Sequence, residues 1–273
     1  MSDFRKPAVA GLFYSSNSQK LKDELSLLIS VTSPEEKISN IAGIISPHAG
    51  YVYSGKTAAY GFNHLVGKDI QNVIIISPSH REYFPGTCIY SGDGYVTPLG
   101  KVMINKDMAG KIIDGSKSIF KGLSGHRDEH AIEVQVPFLQ IILTDFEIIP
   151  IVMGDQSKIY VDELANQVAK VLDEKTIIIA SSDLSHYHSK AKANELDSIV
   201  EKAVENYEFD KLQNYLDSNV CEACGGGPIV AMMKAASIKN KGKSKILNRS
   251  DSGDVSGDFN EVVGYLSAVI YGE

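Results

Sequence analysis

Four short runs rich in Ile and Val constrain the fold most: Ile41 to Ser46, Asn72 to Ser77, Glu147 to Met153 and Thr176 to Ser181. Each has about the five or six residues of a typical strand and is apolar at consecutive positions, so both of its faces need cover. Such strands belong inside a sheet that carries helices on each side. Helical patterns lie between and after them, over Ser54 to Leu65, Glu129 to Leu143, Ser157 to Leu172 and Lys190 to Asn206. In the last, Ala193, Leu196, Ile199, Val200, Ala203 and Val204 recur at three- and four-residue spacing and form one apolar stripe. The alternation predicts an α/β fold with a mostly parallel or mixed central sheet flanked by helices on both faces. Glu261 to Ile270 reads as a late buried strand, and Lys239 to Lys245 as a lysine-studded surface loop. No repeat or biased linker divides the chain, so residues 1–273 read as a single domain.

Composition narrows the partners. Lys and Arg total 27 against 34 Asp and Glu, a net charge of −7 with no basic block, which argues against nucleic acid. No run approaches the roughly 18 uninterrupted apolar residues of a membrane span. The stretch from Met1 to Pro7 lacks the apolar core of a signal peptide. Three cysteines (Cys88, Cys221 and Cys224) are too few for a secreted disulfide framework. A soluble, cytoplasmic protein is expected, with neither nucleic acid nor membrane as partner. The oligomeric state stays open.

Three of the apolar runs lead into a histidine. His48 follows Ile44-Ile45-Ser46-Pro47, His80 follows Ile75-Ile76-Ser77-Pro78-Ser79, and His186 follows Ile178-Ile179-Ala180-Ser181-Ser182-Asp183-Leu184-Ser185. Ligands of open α/β sheets bind at the carboxyl ends of strands, so these loops would bring three imidazoles together as a metal or acid–base site. His64 sits inside a helical pattern, and His188 is expected to face solvent. In Asp128-Glu129-His130-Ala131-Ile132-Glu133, a helix starting near Glu129 would put Glu129 and Glu133 on one face, with His130 beside Glu133. That His-x-x-Glu pair suits ligand orientation or proton transfer; the acidic pair equally suits the helix dipole. Cys221-Glu222-Ala223-Cys224 is a lone C-x-x-C followed by three glycines and Pro228, which can open a helix. A thiol there would have a lowered pKa and could ligate a metal, or be a buried structural thiol.

Taken together, Arg5 to Tyr14, Pro47 to Tyr51, Ser77 to His80, Asp128 to Glu133, Ser181 to His186, Cys224-Gly225 with Pro228-Ile229, and Val262 to Tyr265 are similar to the Memo proteins. The fold of that family resembles the class III non-haem iron extradiol dioxygenases, and the match runs through the whole chain. The resemblance implies metal-site residues at His48, His80 and Cys224, with Asp183 and His186 lining the same cavity. It departs from the dioxygenases in offering Cys224 where they use a carboxylate, and Gly226 and Gly227 would open the pocket relative to bulkier relatives.

A His, His, Cys set suits Fe(II) or Cu, and Zn as well, and three protein ligands leave a position open for chemistry. The leading expectation is a metal-dependent redox protein acting on a small-molecule or peptide ligand in the metal cavity. His186, oriented by a hydrogen bond to Asp183, would move protons, with His130 a second acid–base group. Rival readings are a non-catalytic peptide- or partner-binding module and a zinc-dependent hydrolase.

Overall fold

The computed structural model describes residues 3–273. In chain order the first elements are β1 (Phe4–Arg5), α1 (Ser18–Val31), β2 (Ile41–Ser46), α2 (Tyr51–Asn63) and β3 (Asn72–Pro78). An excursion follows: β4 (Thr87–Tyr90), β5 (Gly94–Thr97), β6 (Gly100–Met103), α3 (Lys106–Ile113) and β7 (Ile119–Gly122). A single 3-10 turn (Glu133–Gln135) then runs into α4 (Val136–Ile142), β8 (Glu147–Met153), α5 (Lys158–Val171), β9 (Thr176–Ser181) and β10 (Asp183–His188). The chain closes with α6 (Lys190–Glu205), α7 (Phe209–Asp217), α8 (Gly226–Ile238), β11 (Lys243–Asp251), α9 (Gly253–Ser256) and β12 (Val262–Tyr271).

The four Ile/Val runs are β2, β9, β3 and β8, side by side and parallel at the centre of a nine-stranded mixed sheet. Their consecutive apolar residues divide cleanly between two cores. Ile74, Ile76, Ile178 and Ala180 pack with Val161, Leu164, Val168 and Val230 on one face. Val73, Ile75, Ile177 and Ile179 pack with Leu21, Leu25, Phe62 and Phe138 on the other. Each fully buried Ile contributes about 1.5–3 kcal/mol, which fixes the helices against both faces. The late strand β12 joins the sheet antiparallel to β2, β10 and β11.

Three local expectations give way. The helix expected from Glu129 begins only with the 3-10 turn at Glu133, because Glu129 to Ile132 turn inward to make hydrogen bonds of their own. Glu129 and Glu133 therefore share no helical face. Residues 183–188, expected as loop, form β10, although its pairing with β12 is broken by irregularities on both sides of His186. The lysine-studded loop is shorter than expected, since β11 starts at Lys243 and pairs along β12.

Candidate metal centre

The carboxyl ends of β2, β9 and β3 lie next to one another, and this is where the chemistry collects. His48 leaves β2 two residues past its end, and His80 leaves β3 likewise. The end of β9 lies between them, and the start of α8 is clamped over it. Gly225 N–H donates to Ser182 Oγ at 2.9 Å, and Cys224 N–H to the Asp183 carbonyl at 3.2 Å. The approach is so close that a Cβ on Gly225 would come within 2.2 Å of the Ser181 carbonyl oxygen. This contact delivers Cys224 to the histidines. One donor atom each from His48, His80 and Cys224 lies within 4.8 Å of the others. Cys224 Sγ is 3.2 Å from His48 Nε2. Two bonds of about 2.0 and 2.3 Å to a common ion span about 3.5 Å at a tetrahedral angle, so the donor set fits a metal.

Hydrogen bonding fixes which nitrogen each imidazole offers. Ser181 Oγ donates its one proton to the Ala131 carbonyl at 2.7 Å, and it accepts from Gln135 Nε2 at 2.8 Å. Its contact with His48 Nδ1 at 2.9 Å must therefore be Nδ1–H donating, which leaves the His48 Nε2 lone pair facing Cys224. His80 Nδ1 lies 2.9 Å from Glu129 Oε1, so it too carries the proton and frees Nε2. Ser181 and Gln135 escaped the sequence reading, because a strand-end Ser and a helical Gln carry no signal of a partner remote in the chain. Ser181→Ala is expected to lower metal affinity about 10–100-fold, as loss of a partner orienting a ligand does. Competition with a chelator measures it; unchanged affinity would contradict the tautomer assignment.

Glu129, His80 and His130 form a second close set. Glu129 is already satisfied, however, accepting from the backbone N–H groups of His80, His130 and Ala131 as well as from His80 Nδ1. It positions histidines. Burial pushes its carboxyl up, but the hydrogen bonds and charge interaction with His80 outweigh that and hold it at about 2. His130 joins the histidine cluster, its ring 4.8 Å from that of His80 and 5.4 Å from that of His48. Glu133, by contrast, faces the N-terminal segment, where it pairs with Arg5 at 2.8 Å and accepts from Tyr14 Oη at 2.6 Å.

Burial holds three histidines neutral: His48 well below its ordinary range, His130 at about 4 and His126 at about 3. An unfolded chain takes up these protons near pH 6.5, whereas the folded chain resists until far lower. Their stability contribution is thus complete above about pH 6.5 and lost as pH falls toward 4, at up to about 1.4 kcal/mol per pH unit for each histidine. Urea titrations of metal-free protein at pH 7.5 and 5 should show this fall; equal stability would contradict it.

Three further expectations are corrected. Asp183 does not bond the His186 ring; its Oδ1 accepts from the His48 backbone N–H at 2.7 Å, tying β10 to the β2 loop, and burial pushes its carboxyl up. The Cys224 thiol is pushed up, not down, by burial and then by the nearby Asp183 carboxylate, despite its place before α8. His188 is not free in solvent, since its Nε2 lies 3.0 Å from the Glu222 carboxylate. A cavity of about 500 Å³ opens beside Cys224, with His186, Cys221 and Glu222 on its wall. Gly226 and Gly227 border it without widening it, because Leu216 and Gln156 fill the space beside them. His186 is paired with Val263 in the β10–β12 ladder, but its ring makes no side-chain hydrogen bond among the described residues and lines the cavity, available to a ligand.

A family model described as Memo-like protein matches residues 5–269. The chain belongs to the Memo-like family. Among its Memo-family relatives, the MEMO1 family protein Ta0237 of Thermoplasma acidophilum is 39% identical over 268 residues, covering 97% of this chain and 98% of the relative. The MEMO1 family protein of Thermotoga petrophila is 37% identical over 279 residues, covering 98% and 99%. That of Methanobrevibacter smithii is 35% identical over 279 residues, covering 97% and 99%. The Memo-like chain thus spans its relatives nearly end to end, with His48, His80 and Cys224 all inside the matched region. Among its described residues, no helix is long and apolar enough to cross a membrane.

Proposed function

We propose that this Memo-like chain is a metal-dependent redox protein that holds one divalent ion on His48 Nε2, His80 Nε2 and Cys224 Sγ. The observation that carries the reading is the convergence of one donor atom from each residue within 4.8 Å, with both imidazole tautomers set to present Nε2. Two nitrogens and one sulfur are borderline in softness and suit Fe(II) or Cu, with Zn also accommodated. When bound, Fe(II) or Cu would supply one-electron chemistry toward O2 or an oxidisable small molecule or peptide.

The protein's own part is orientation and proton handling. Ser181 and Glu129 hold the two imidazole rings, and Asp183 fixes the loop that carries His48. His186, on the cavity wall with its ring unengaged, is placed to take or give a proton at a ligand atom, while His130, held neutral by burial, stands beside His48 and His80 as a second acid–base group. Metal analysis with electron paramagnetic resonance on anaerobically purified protein tests the reading. About one iron or copper per chain is expected. Zinc alone would favour hydrolysis, and no metal would favour a binding module.

A further inference from the structure

One buried acid has no part in the chemistry above. Asp197 interrupts the apolar stripe of α6 between Ala193 and Val200, and it is only 3% exposed. The bases of neighbouring segments are spent elsewhere, Arg249 on Glu201 and Lys190 on Asp251 and Asp254. Burying a carboxylate without an ion pair is costly, and an apolar residue would complete the stripe at less cost. What Asp197 touches explains its place. Its Oδ1 accepts from the Ser185 N–H of β10 at 3.0 Å. Along this stretch Asp183 faces Tyr265 and His186 faces Val263, so Leu184 and Ser185 together oppose the single residue Gly264. That count is a β-bulge. Gly264 leaves room for the acid, since a Cβ there would collide with Asp197 Oδ2. The carboxylate is a wedge seated at the bulge.

The extra residue decides which face His186 takes. Side chains alternate along a regular strand, so residues three apart point to opposite faces. Tyr265 and Val263 are two apart and share a face, and residues directly opposed across a ladder share theirs. Asp183 and His186 therefore share one face in spite of their spacing. A ladder without the bulge would turn His186 away from Asp183. We infer that Asp197 is a positioning residue of the centre. By holding Ser185 in the bulge, it puts the His186 imidazole on the face where Asp183 secures the His48 loop. The inference rests on the metal reading only for the proton-transfer part given to His186.

Two-dimensional NMR of protein labelled with 13C at histidine tests it in four forms: unaltered, Asp197→Ala, Asp197→Asn and Gly264→Ala. Asp197→Ala removes the wedge together with its desolvation cost. Asp197→Asn keeps an acceptor oxygen of the same reach, and Gly264→Ala drives the carboxylate out. In metal-free protein the His186 ring resonances should shift in Asp197→Ala and Gly264→Ala and hold their place in Asp197→Asn. Those of His80 and His130, which lie off β10, should hold theirs throughout. With Cu(II) bound, the paramagnetic broadening of the His186 ring should fall at least threefold in the two forms that lose the wedge. Broadening of His130 and affinity for Cu(II) should stay within threefold in all four. A His186 resonance unmoved in Asp197→Ala, the same movement in Asp197→Asn, or equal movement of all the rings would overturn the inference. Should Gly264→Ala fail to fold, Asp197→Ala against Asp197→Asn decides alone. Failure of the unaltered protein to take up Cu(II) would count against the centre, with the metal-free comparison still deciding the wedge.

Discussion

Replacing Cys224 by Ala is expected to lower metal affinity by well over about 100-fold, since even partners that merely orient a ligand are worth 10–100-fold. Cys221→Ala should leave affinity nearly unchanged, because only Cys224 Sγ stands 3.2 Å from His48 Nε2. The environment sharpens the expectation. Burial and Asp183 push the free thiol up, so metal must displace its proton, and uptake should release protons and weaken as pH falls. Iodoacetamide labelling gives an independent reading. Cys224 should be protected by Fe(II), Cu or Zn and exposed by a chelator. Cys88, fully buried in β4 with its thiol pushed up to about 12, should stay inert throughout. Equal metal loss in the two Ala variants would reject Cys224 as a ligand.

Arg5→Ala should be the most destabilising single change outside the centre. The guanidinium donates to the His126 carbonyl at 2.7 Å, to Glu133 Oε2 at 2.8 Å and to the Glu129 carbonyl. Both side chains of the Arg5–Glu133 pair are at most 5% exposed. Removing one member of a buried pair strands the other charge, at about 3–5 kcal/mol. For a chain of this size that is a fall in melting temperature of roughly 6–20 °C. Metal affinity should drop with it, because the same guanidinium holds the backbone of Glu129, whose carboxylate positions His80. Arg5→Lys keeps the charge, but one ammonium nitrogen cannot reach acceptors that Arg5 meets from Nε, Nη1 and Nη2 separately, so an intermediate loss is expected. A change below about 1 kcal/mol by urea unfolding would contradict this reading of the network.

The parallel core was legible because burial on both faces leaves a direct mark, four Ile/Val runs, on the sequence. The strand ends were legible for the same reason, and His48 and His80 follow from them by topology. What could not be read was set by single long-range hydrogen bonds. Glu129 to Ile132 have helical composition, yet the Glu129 carboxylate caps the next two backbone N–H groups and holds them out of the helix. Asp183 and His186 look like a pair at three-residue spacing, but β10 is extended at Asp183, and its carboxylate finds the His48 amide 135 positions away in the chain. A place before α8 predicts a low Cys224 pKa, but burial of the thiol and the neighbouring Asp183 carboxylate push it up instead. Convergence of Cys224 with the histidines came from the family resemblance, and no spacing rule would have supplied it.

X-ray absorption at the metal edge of anaerobically reconstituted protein, compared with its Cys224→Ala variant, tests the central claim most directly. The expected spectrum contains one sulfur at about 2.3 Å and two imidazole nitrogens at about 2.0–2.1 Å, the sulfur vanishing in the variant. A shell of nitrogen and oxygen alone in the unaltered protein would contradict a centre built on His48, His80 and Cys224.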